Sequence, residues 1–154
     1  MEINIIILLT VLAYSIIVSQ SFMYGIALAN AQENMTAASY IELRKLLDRN
    51  FRKKYSIVVY FSLLSSTILS ILTSMNTGSM LFIGSVIAWF ALIIDIIIAV
   101  KGNIPINNFI NTWTTDEYPA DWAAYRAKWL SIYRLRQAAN IIGFTCLLLG
   151  IVFG

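Results

Sequence analysis

The sequence predicts an all-α protein: a four-helix transmembrane bundle with amphipathic interfacial helices in its first and third connections. Hydrophobic residues make up 59% of the 154 residues and charged residues only 12%, whereas soluble domains contain about 25% charged residues. The apolar residues form runs long enough to cross a bilayer, which takes about 20 of them. The 11 Lys and Arg residues fall into two segments between these runs, as in the cytoplasmic loops of membrane proteins.

Composition also excludes several function classes. The chain contains no histidine, which removes His-ligated haem, the usual zinc and non-haem iron sites and imidazole base chemistry. We therefore expect no metal and no cofactor. The net charge is +3, but the basic residues flank apolar spans, so we expect no nucleic-acid binding. The single cysteine, Cys146, permits no intramolecular disulfide.

We expect a single integral membrane domain over residues 1–154, with spans at about 3–28, 56–75, 80–100 and 137–154. A cleavable signal peptide is the alternative for the first span, because residues 29–31 (Ala-Asn-Ala) resemble a cleavage site. Glu2 in place of a basic residue and the length of the apolar run argue against it. The uncharged run of residues 55–94 holds two spans, which the turn signal Asn-Thr-Gly-Ser at 76–79 separates. The fourth span is short and requires a helix that begins earlier.

The first connection, residues 29–55, has the pattern of an amphipathic helix. Ser39 and Glu42 have the spacing of a capping box at its start. Its predicted apolar face consists of Leu43, Leu46, Leu47 and Phe51. Six basic residues accompany that face, as in helices that lie on an anionic membrane surface. A basic loop that only fixes topology and a segment that binds a ligand both remain open.

The distribution of basic residues predicts the orientation. Six Lys and Arg residues lie between spans one and two, five lie at residues 101–136, and none lies elsewhere. The positive-inside rule then places the connections 29–55 and 101–136 in the cytoplasm and both termini outside a cytoplasmic-type (plasma) membrane. The lipid bilayer is thus the expected partner, and nothing in the sequence specifies an oligomeric state.

The third connection carries the most ordered polar pattern. At about 100° per residue, seven polar or aromatic residues of its helix share an arc of about 100°. They are Trp122, Tyr125, Arg126, Trp129, Tyr133, Arg136 and Asn140. One interpretation is an interfacial aromatic belt with snorkelling arginines. The other is a stripe that faces a buried site, where arginine tolerates partial burial against aromatic rings or carboxylates.

Two features precede this helix. Gly102 is predicted to end the third span as a C-cap, and Pro105 to open a short helix. Asn103 and Asn107 would then satisfy backbone groups at membrane depth or contact a ligand. Asp95 lies inside the third span, where a carboxylate costs about 2.5–3.5 kcal/mol. We expect it to pair with Arg126 or Arg136, or to take part in proton transfer.

These motifs together resemble the anthrone oxygenase-like family of small four-helix membrane proteins, much of which has no assigned function. The resemblance covers nearly the whole chain and includes the spacing of the four spans. It implies an integral membrane protein that oxidises a polycyclic phenol with dioxygen. The matching positions are Asn103-x-Pro105-x-Asn107 and Arg126-x-x-Trp129-x-x-x-Tyr133-x-x-Arg136.

Two functions follow, and the sequence leaves open whether the protein is an enzyme. The first is a cofactor-independent oxygenase for a hydrophobic aromatic or phenolic molecule, with a polar-aromatic pocket near the cytoplasmic membrane face. Its expected catalytic residues are Asp95, Tyr133 and Arg136, and its substrate-binding residues are Asn103, Asn107, Arg126, Trp129 and Asn140. The alternative is a non-catalytic protein that binds a lipid or protein partner through the same stripe. It predicts tight packing without a cavity, and an Asp95 neutralised by a basic side chain.

Overall fold

The computed structural model describes residues 2–154, and four long helical stretches make up most of them. The helices are α1 (Glu2–Met23), α2 (Ala29–Glu33), α3 (Ala37–Thr73), α4 (Met80–Ile98), α5 (Ile104–Ile110) and α6 (Trp122–Phe153). A π-helical turn at Tyr24–Leu28 joins α1 to α2, and another at Ala99–Asn103 joins α4 to α5. The stretches that are long and apolar enough to span a membrane are Ile3–Glu33, Ala37–Asn76, Met80–Ile110 and Trp122–Phe153. The predicted fold class is confirmed.

The four stretches form a closed bundle. Helix α1 packs against α3 and α6, and α4 packs against the same two helices. We call the end with residues 74–79 the hairpin end, and the end with the connections 34–36 and 111–121 the polar end. At 1.5 Å per residue, Asp95 lies about 22 Å from the hairpin end of α4. This distance is less than the thickness of a hydrocarbon core, about 30 Å, and Asp95 lies nearer to the polar end of the bundle.

The turn predicted at residues 76–79 is confirmed. A 3₁₀ turn at Ser74–Asn76 ends α3, and the Ser79 hydroxyl accepts a hydrogen bond from the Phe82 amide at 3.1 Å to begin α4. The capping box predicted at Ser39 is wrong. Thr36 is the N-cap, and its hydroxyl accepts from the Ser39 amide at 3.4 Å. The helix begins earlier because Thr36 can itself cap, and two alanines, which favour helix, follow it.

The predicted first-connection helix exists, but it continues without a break into the second span as α3. Of its predicted apolar face, Leu46 and Phe51 are 53% and 39% exposed. A second face, with Tyr40, Ile41 and Arg44, is buried, because this part of α3 packs against α5.

The C-cap predicted at Gly102 is wrong, because the chain continues through the π-helical turn into α5. Gly102 instead permits a close helix contact: a Cβ there would lie 2.7 Å from Cγ2 of Ile132 on α6. Pro105 lies in the first turn of α5, as predicted.

Glycines bring α4 and α6 into backbone contact. A Cβ at Gly84 would lie 2.4 Å from the Cys146 carbonyl oxygen, and one at Gly150 would lie 2.6 Å from the Met80 carbonyl oxygen. Small residues allow such close approach in membrane bundles, where packing rather than hydrophobicity drives helix association. Helix α6 begins at Trp122, so the early start that the short fourth span requires is confirmed.

Candidate ligand-binding site

A cavity of about 440 Å³ lies at the polar end, between α1, α3, the α4–α5 stretch and α6. Its volume falls within the range of about 300–1,000 Å³ that is typical of small-molecule sites. The aromatic lining residues are Tyr24, Phe51, Tyr55, Tyr60, Trp129 and Tyr133. The charged and amide residues among the lining are Gln20, Arg44, Asp48, Arg52, Asp95, Asn103, Asn107 and Arg136.

Six of the eight site residues predicted from the sequence line this cavity: Asp95, Asn103, Asn107, Trp129, Tyr133 and Arg136. The two others lie elsewhere. Arg126 donates from Nη1 to the carbonyl oxygens of Gln32 at 3.0 Å and Met35 at 2.9 Å, where it caps the end of α2. Asn140 is buried in the bundle, and its Oδ1 has no hydrogen-bond partner among the described residues.

The stripe predicted on α6 faces the interior. Trp129, Tyr133, Arg136 and Asn140 are all buried. The belt interpretation therefore does not hold for this part of the stripe, because a belt places its aromatic and basic side chains at the water interface.

Asp95 pairs with Arg136 rather than with Arg126. Arg136 donates from Nε to Oδ1 at 2.7 Å and from Nη2 to Oδ2 at 3.3 Å. Its Nη1 donates to Oδ1 of Asn103 at 3.3 Å. Both carboxylate oxygens of Asp95 therefore have a charged donor, and the pair adds no net charge to the cavity wall.

The two asparagines of the Asn103–Asn107 motif join α5 to its neighbours. Asn103 donates from Nδ2 to the Trp129 carbonyl oxygen at 3.0 Å, and Oδ1 of Asn107 accepts from the Trp129 indole at 2.8 Å. Asn107 also donates from Nδ2 to Oδ1 of Asp48 at 3.2 Å. These amide groups hold Trp129 and α3 in place at one wall of the cavity.

Arg44 is a central residue of the site that the sequence analysis missed. Its Nη2 donates to Oδ1 of Asn107 at 2.7 Å, and its Nη1 donates to the Tyr24 hydroxyl at 3.3 Å. The guanidinium lies over the Trp129 ring, with Cζ 3.8 Å from the ring centroid. It is only 5% exposed, and such burial is unusual for a charged residue that has no ionic partner in the described part of the chain. In the sequence Arg44 is one of six basic residues in the first connection, and no pattern distinguishes it from the other five.

Asp48, one turn further along α3, is neutralised by Arg52. Oδ1 of Asp48 accepts from Nε of Arg52 at 2.9 Å, and Oδ2 accepts from Nδ2 of Asn111 at 2.9 Å. Arg52 also donates to Oδ1 of Asn108 at 2.9 Å. This pair, like Asp95 and Arg136, is electrically balanced.

Three rings form the aromatic wall. Tyr133 stacks on Trp129 with ring centroids 5.0 Å apart and planes at 11°, and Tyr24 approaches Tyr133 at 4.4 Å. Gln32 donates to the Tyr24 hydroxyl at 3.2 Å. Aromatic side chains with fixed polar ends suit a ligand that has an aromatic body and one polar group.

Both π-helical turns border the cavity and supply lining residues: Tyr24 and Leu28 from the first, and Ala99, Val100 and Asn103 from the second. A π-helical turn inserts one extra residue into a helix, and such turns occur frequently at functional sites. The sequence analysis missed both, because no residue pattern separates such a turn from regular helix.

Among residues 2–154 there is no group of three or more Cys, Asp or Glu side chains with the spacing to hold a metal ion. A scan against models of protein families finds no match, and neither curated proteins nor solved structures match the chain. Fold and cavity alone therefore define the class of the protein: a multi-pass membrane protein, built as a four-helix bundle, with a ligand-sized cavity near one end.

Proposed function

We propose that the protein binds a hydrophobic small molecule with an aromatic or phenolic body in the cavity at its polar end. The cavity itself carries this proposal. The non-catalytic alternative predicts tight packing there, and the space of about 440 Å³ bounded by Trp129, Tyr133 and Asn107 speaks against that packing. The same alternative also predicts that a basic side chain neutralises Asp95, and Arg136 does so. We therefore propose ligand binding first and treat catalysis as a second candidate.

The location of the cavity favours a ligand that comes from the bilayer. Met23, Phe51, Tyr60 and Val100 line the cavity and are also exposed on the outside of the bundle, so they mark its opening. By helix rise, Tyr60 lies about 20 Å and Phe51 about 33 Å from the end of α3 at Thr73. The opening thus crosses the boundary of a hydrocarbon core of about 30 Å. A molecule with an apolar body and a polar group at the interface fits this position.

Oxygenation of the ligand is the second candidate, and the resemblance to the anthrone oxygenase-like family supports it. The observation in its favour is that five motif positions converge on one cavity: Asn103, Asn107, Trp129, Tyr133 and Arg136. In such a reaction a methylene carbon between two aromatic rings loses a proton and reacts with dioxygen. The methylene becomes a carbonyl, and the second oxygen atom leaves as water with the two hydrogens of the methylene.

The contacts constrain which residues would act in that reaction. Arg136 already donates to both oxygens of Asp95, so in this arrangement Asp95 holds the Arg136 side chain in position. The Tyr133 side chain lines the cavity and is the better candidate to face the reacting carbon. Arg126 does not line the cavity. A protein partner, the other alternative, would not reach Trp129 or Tyr133, because both are buried.

We also propose that both termini lie outside the plasma membrane and that the connections 29–55 and 101–136 lie in the cytoplasm. All 11 Lys and Arg residues lie in those two connections, and the positive-inside rule gives this orientation. The ligand would then have its polar group near the cytoplasmic face.

Filling the cavity tests the proposed function. Ala99 lines the cavity, whereas Ala138 of α6 is exposed and does not line it. We expect Ala99→Phe to abolish binding of an anthrone-type compound to the purified protein in nanodiscs, and Ala138→Phe to leave binding unchanged. Oxygen uptake measured in the same samples separates binding from oxygenation. Binding that survives Ala99→Phe would overturn the proposed site, and binding without uptake would leave a non-catalytic binding protein.

A further inference from the structure

We infer that the ligand of this cavity carries a single negative charge on oxygen, and that Arg44 is the residue that meets it. This inference deepens the proposed function and rests on it. It assigns anion recognition to a residue outside the motif positions, rather than to Arg126 or Arg136.

The first step is the charge balance of the cavity wall. Asp95 is paired with Arg136, and Asp48 with Arg52. The remaining ion pair in residues 2–154 joins Arg134 to Glu33, both well exposed. Arg44 belongs to none of these pairs, so no described carboxylate lies within 4.0 Å of its guanidinium. The wall therefore carries one uncompensated positive charge.

The second step is the state of the Arg44 side chain. A guanidinium has five N–H donors. In this site Nη1 and Nη2 each donate to one neutral oxygen, that of Tyr24 or Asn107, and Nε is buried with no acceptor among residues 2–154. A buried charge is stable only when it is paired or fully hydrogen-bonded. Arg44 is thus the least satisfied charged group among the residues that line the cavity.

The third step is where the guanidinium lies. Tyr24, Asn107 and Trp129, its three partners, all line the cavity together with Arg44 itself. The Trp129 ring supports one face of the guanidinium at 3.8 Å, which fixes the plane in which its donors lie. A planar guanidinium fixed in this way can offer two parallel N–H groups to one oxyanion.

The chemistry of the ligand follows from these steps. Its body is apolar and aromatic, because six aromatic side chains line the cavity. Its charged group is a carboxylate or an ionised phenol or enol, which a single guanidinium neutralises. Hydrogen bonds to charged groups contribute about 1.5–3 kcal/mol, which corresponds to about 10- to 100-fold in affinity. An uncharged compound of the same shape should bind more weakly by that factor.

The test compares two fluorescent probes of the same three-ring shape, anthracene-9-carboxylate and the neutral 9-anthracenemethanol. Binding to the full-length protein in nanodiscs of zwitterionic lipid is measured by quenching of tryptophan fluorescence. We expect the wild-type protein to bind the carboxylate about 10- to 100-fold more tightly than the alcohol. In Arg44→Gln that preference should disappear while the alcohol still binds. Arg134→Gln, which removes an exposed arginine from α6, should keep the wild-type preference.

The outcomes separate the two proposals. If neither probe binds the wild-type protein, the proposed function fails and the inference fails with it. If both bind equally, or if Arg44→Gln keeps the preference, a hydrophobic site remains but anion recognition by Arg44 is overturned. Arg44→Lys keeps the charge but loses the paired N–H groups of the guanidinium, so it should retain only part of the preference, which covers the case in which Arg44→Gln does not fold. Competition by oleate distinguishes two kinds of natural ligand. Strong displacement of anthracene-9-carboxylate by oleate indicates a lipid anion, and weak displacement indicates an aromatic anion.

Discussion

Arg136 of α6 donates two hydrogen bonds to Asp95 of α4, from Nε to Oδ1 at 2.7 Å and from Nη2 to Oδ2 at 3.3 Å. Asp95 is 1% exposed and Arg136 9% exposed, so the pair lies within the bundle rather than at its surface. An unpaired carboxylate at this depth is costly, and the ion pair offsets the cost of burying each of the two charges. The pair fixes the relative position of α4 and α6 directly beside the cavity.

Removal of one member of this pair should be strongly destabilising. We expect Asp95→Leu or Arg136→Met alone to lower the free energy of unfolding by about 3–5 kcal/mol, because each leaves one uncompensated buried charge. The double variant Asp95→Leu, Arg136→Met should recover most of that loss, since two apolar side chains replace two charges. Unfolding in mixed detergent micelles measures all three variants. Single variants within about 1 kcal/mol of the wild type, or purely additive losses, would contradict this account.

The contact between the backbones of α4 and α6 gives a second prediction. A methyl group at Gly84 would lie 2.4 Å from the Cys146 carbonyl oxygen, whereas one at Gly78 in the hairpin turn would come no closer than 3.8 Å to Asn76. Gly84→Ala should therefore force the helices apart and destabilise the fold by about 1–3 kcal/mol. Gly78→Ala, whose φ is not positive, should be nearly neutral. Equal effects of the two substitutions would show that the helices do not pack this closely.

Local patterns were sufficient for much of the fold and part of the site. The hairpin turn at residues 76–79 was predictable because an uncharged run of two spans must be broken at its turn residues. That Trp129 and Tyr133 share one face of α6 was predictable because helical periodicity fixes which side chains lie together, but the inward direction of that face needed coordinates. A basic partner for Asp95 was one of two predictions, beside proton transfer, for a carboxylate inside a span, and the choice between Arg126 and Arg136 needed coordinates.

The remainder depended on contacts between distant parts of the chain. Arg44 and Asn107 are 63 positions apart, and neither residue type predicts a contact with the other. In the sequence, the basic residues around Arg44 predict a membrane-surface helix, so its burial against Trp129 could not be inferred. The two π-helical turns are likewise set by tertiary packing, and with them the position of Tyr24.

The two functions of the Trp129 indole give a third prediction. Trp129 donates to Asn107 at 2.8 Å and also supports the Arg44 guanidinium, whereas Trp89 donates to the Thr67 hydroxyl at 2.8 Å without a cation on its ring. Each Trp→Phe substitution removes one hydrogen bond, worth about 1 kcal/mol. Trp129→Phe should also weaken the cation–π contact, so we expect a total loss of about 2 kcal/mol.

Chemical unfolding of the two tryptophan variants, followed by far-UV circular dichroism, measures this difference. Ligand affinity provides an independent readout, since Trp129 lines the cavity and Trp89 does not. Trp129→Phe should lower affinity for anthracene-9-carboxylate, and Trp89→Phe should leave it unchanged. If the two variants had the same stability and the same affinity, the contact between Trp129 and the Arg44 cation would make no measurable contribution.

The orientation in the membrane is the fourth prediction. In a Cys146→Ala background, which removes the one native thiol, a single cysteine is placed at Gly78 in the hairpin turn or at Asp116 in the third connection. Both positions are exposed. Since the segments rich in Lys and Arg stay in the cytoplasm, a membrane-impermeant maleimide should label Gly78→Cys in intact cells and Asp116→Cys only after the cells are lysed. The reverse labelling would place the cavity opening on the outer side, and its ligand would then have its polar group at the outer face.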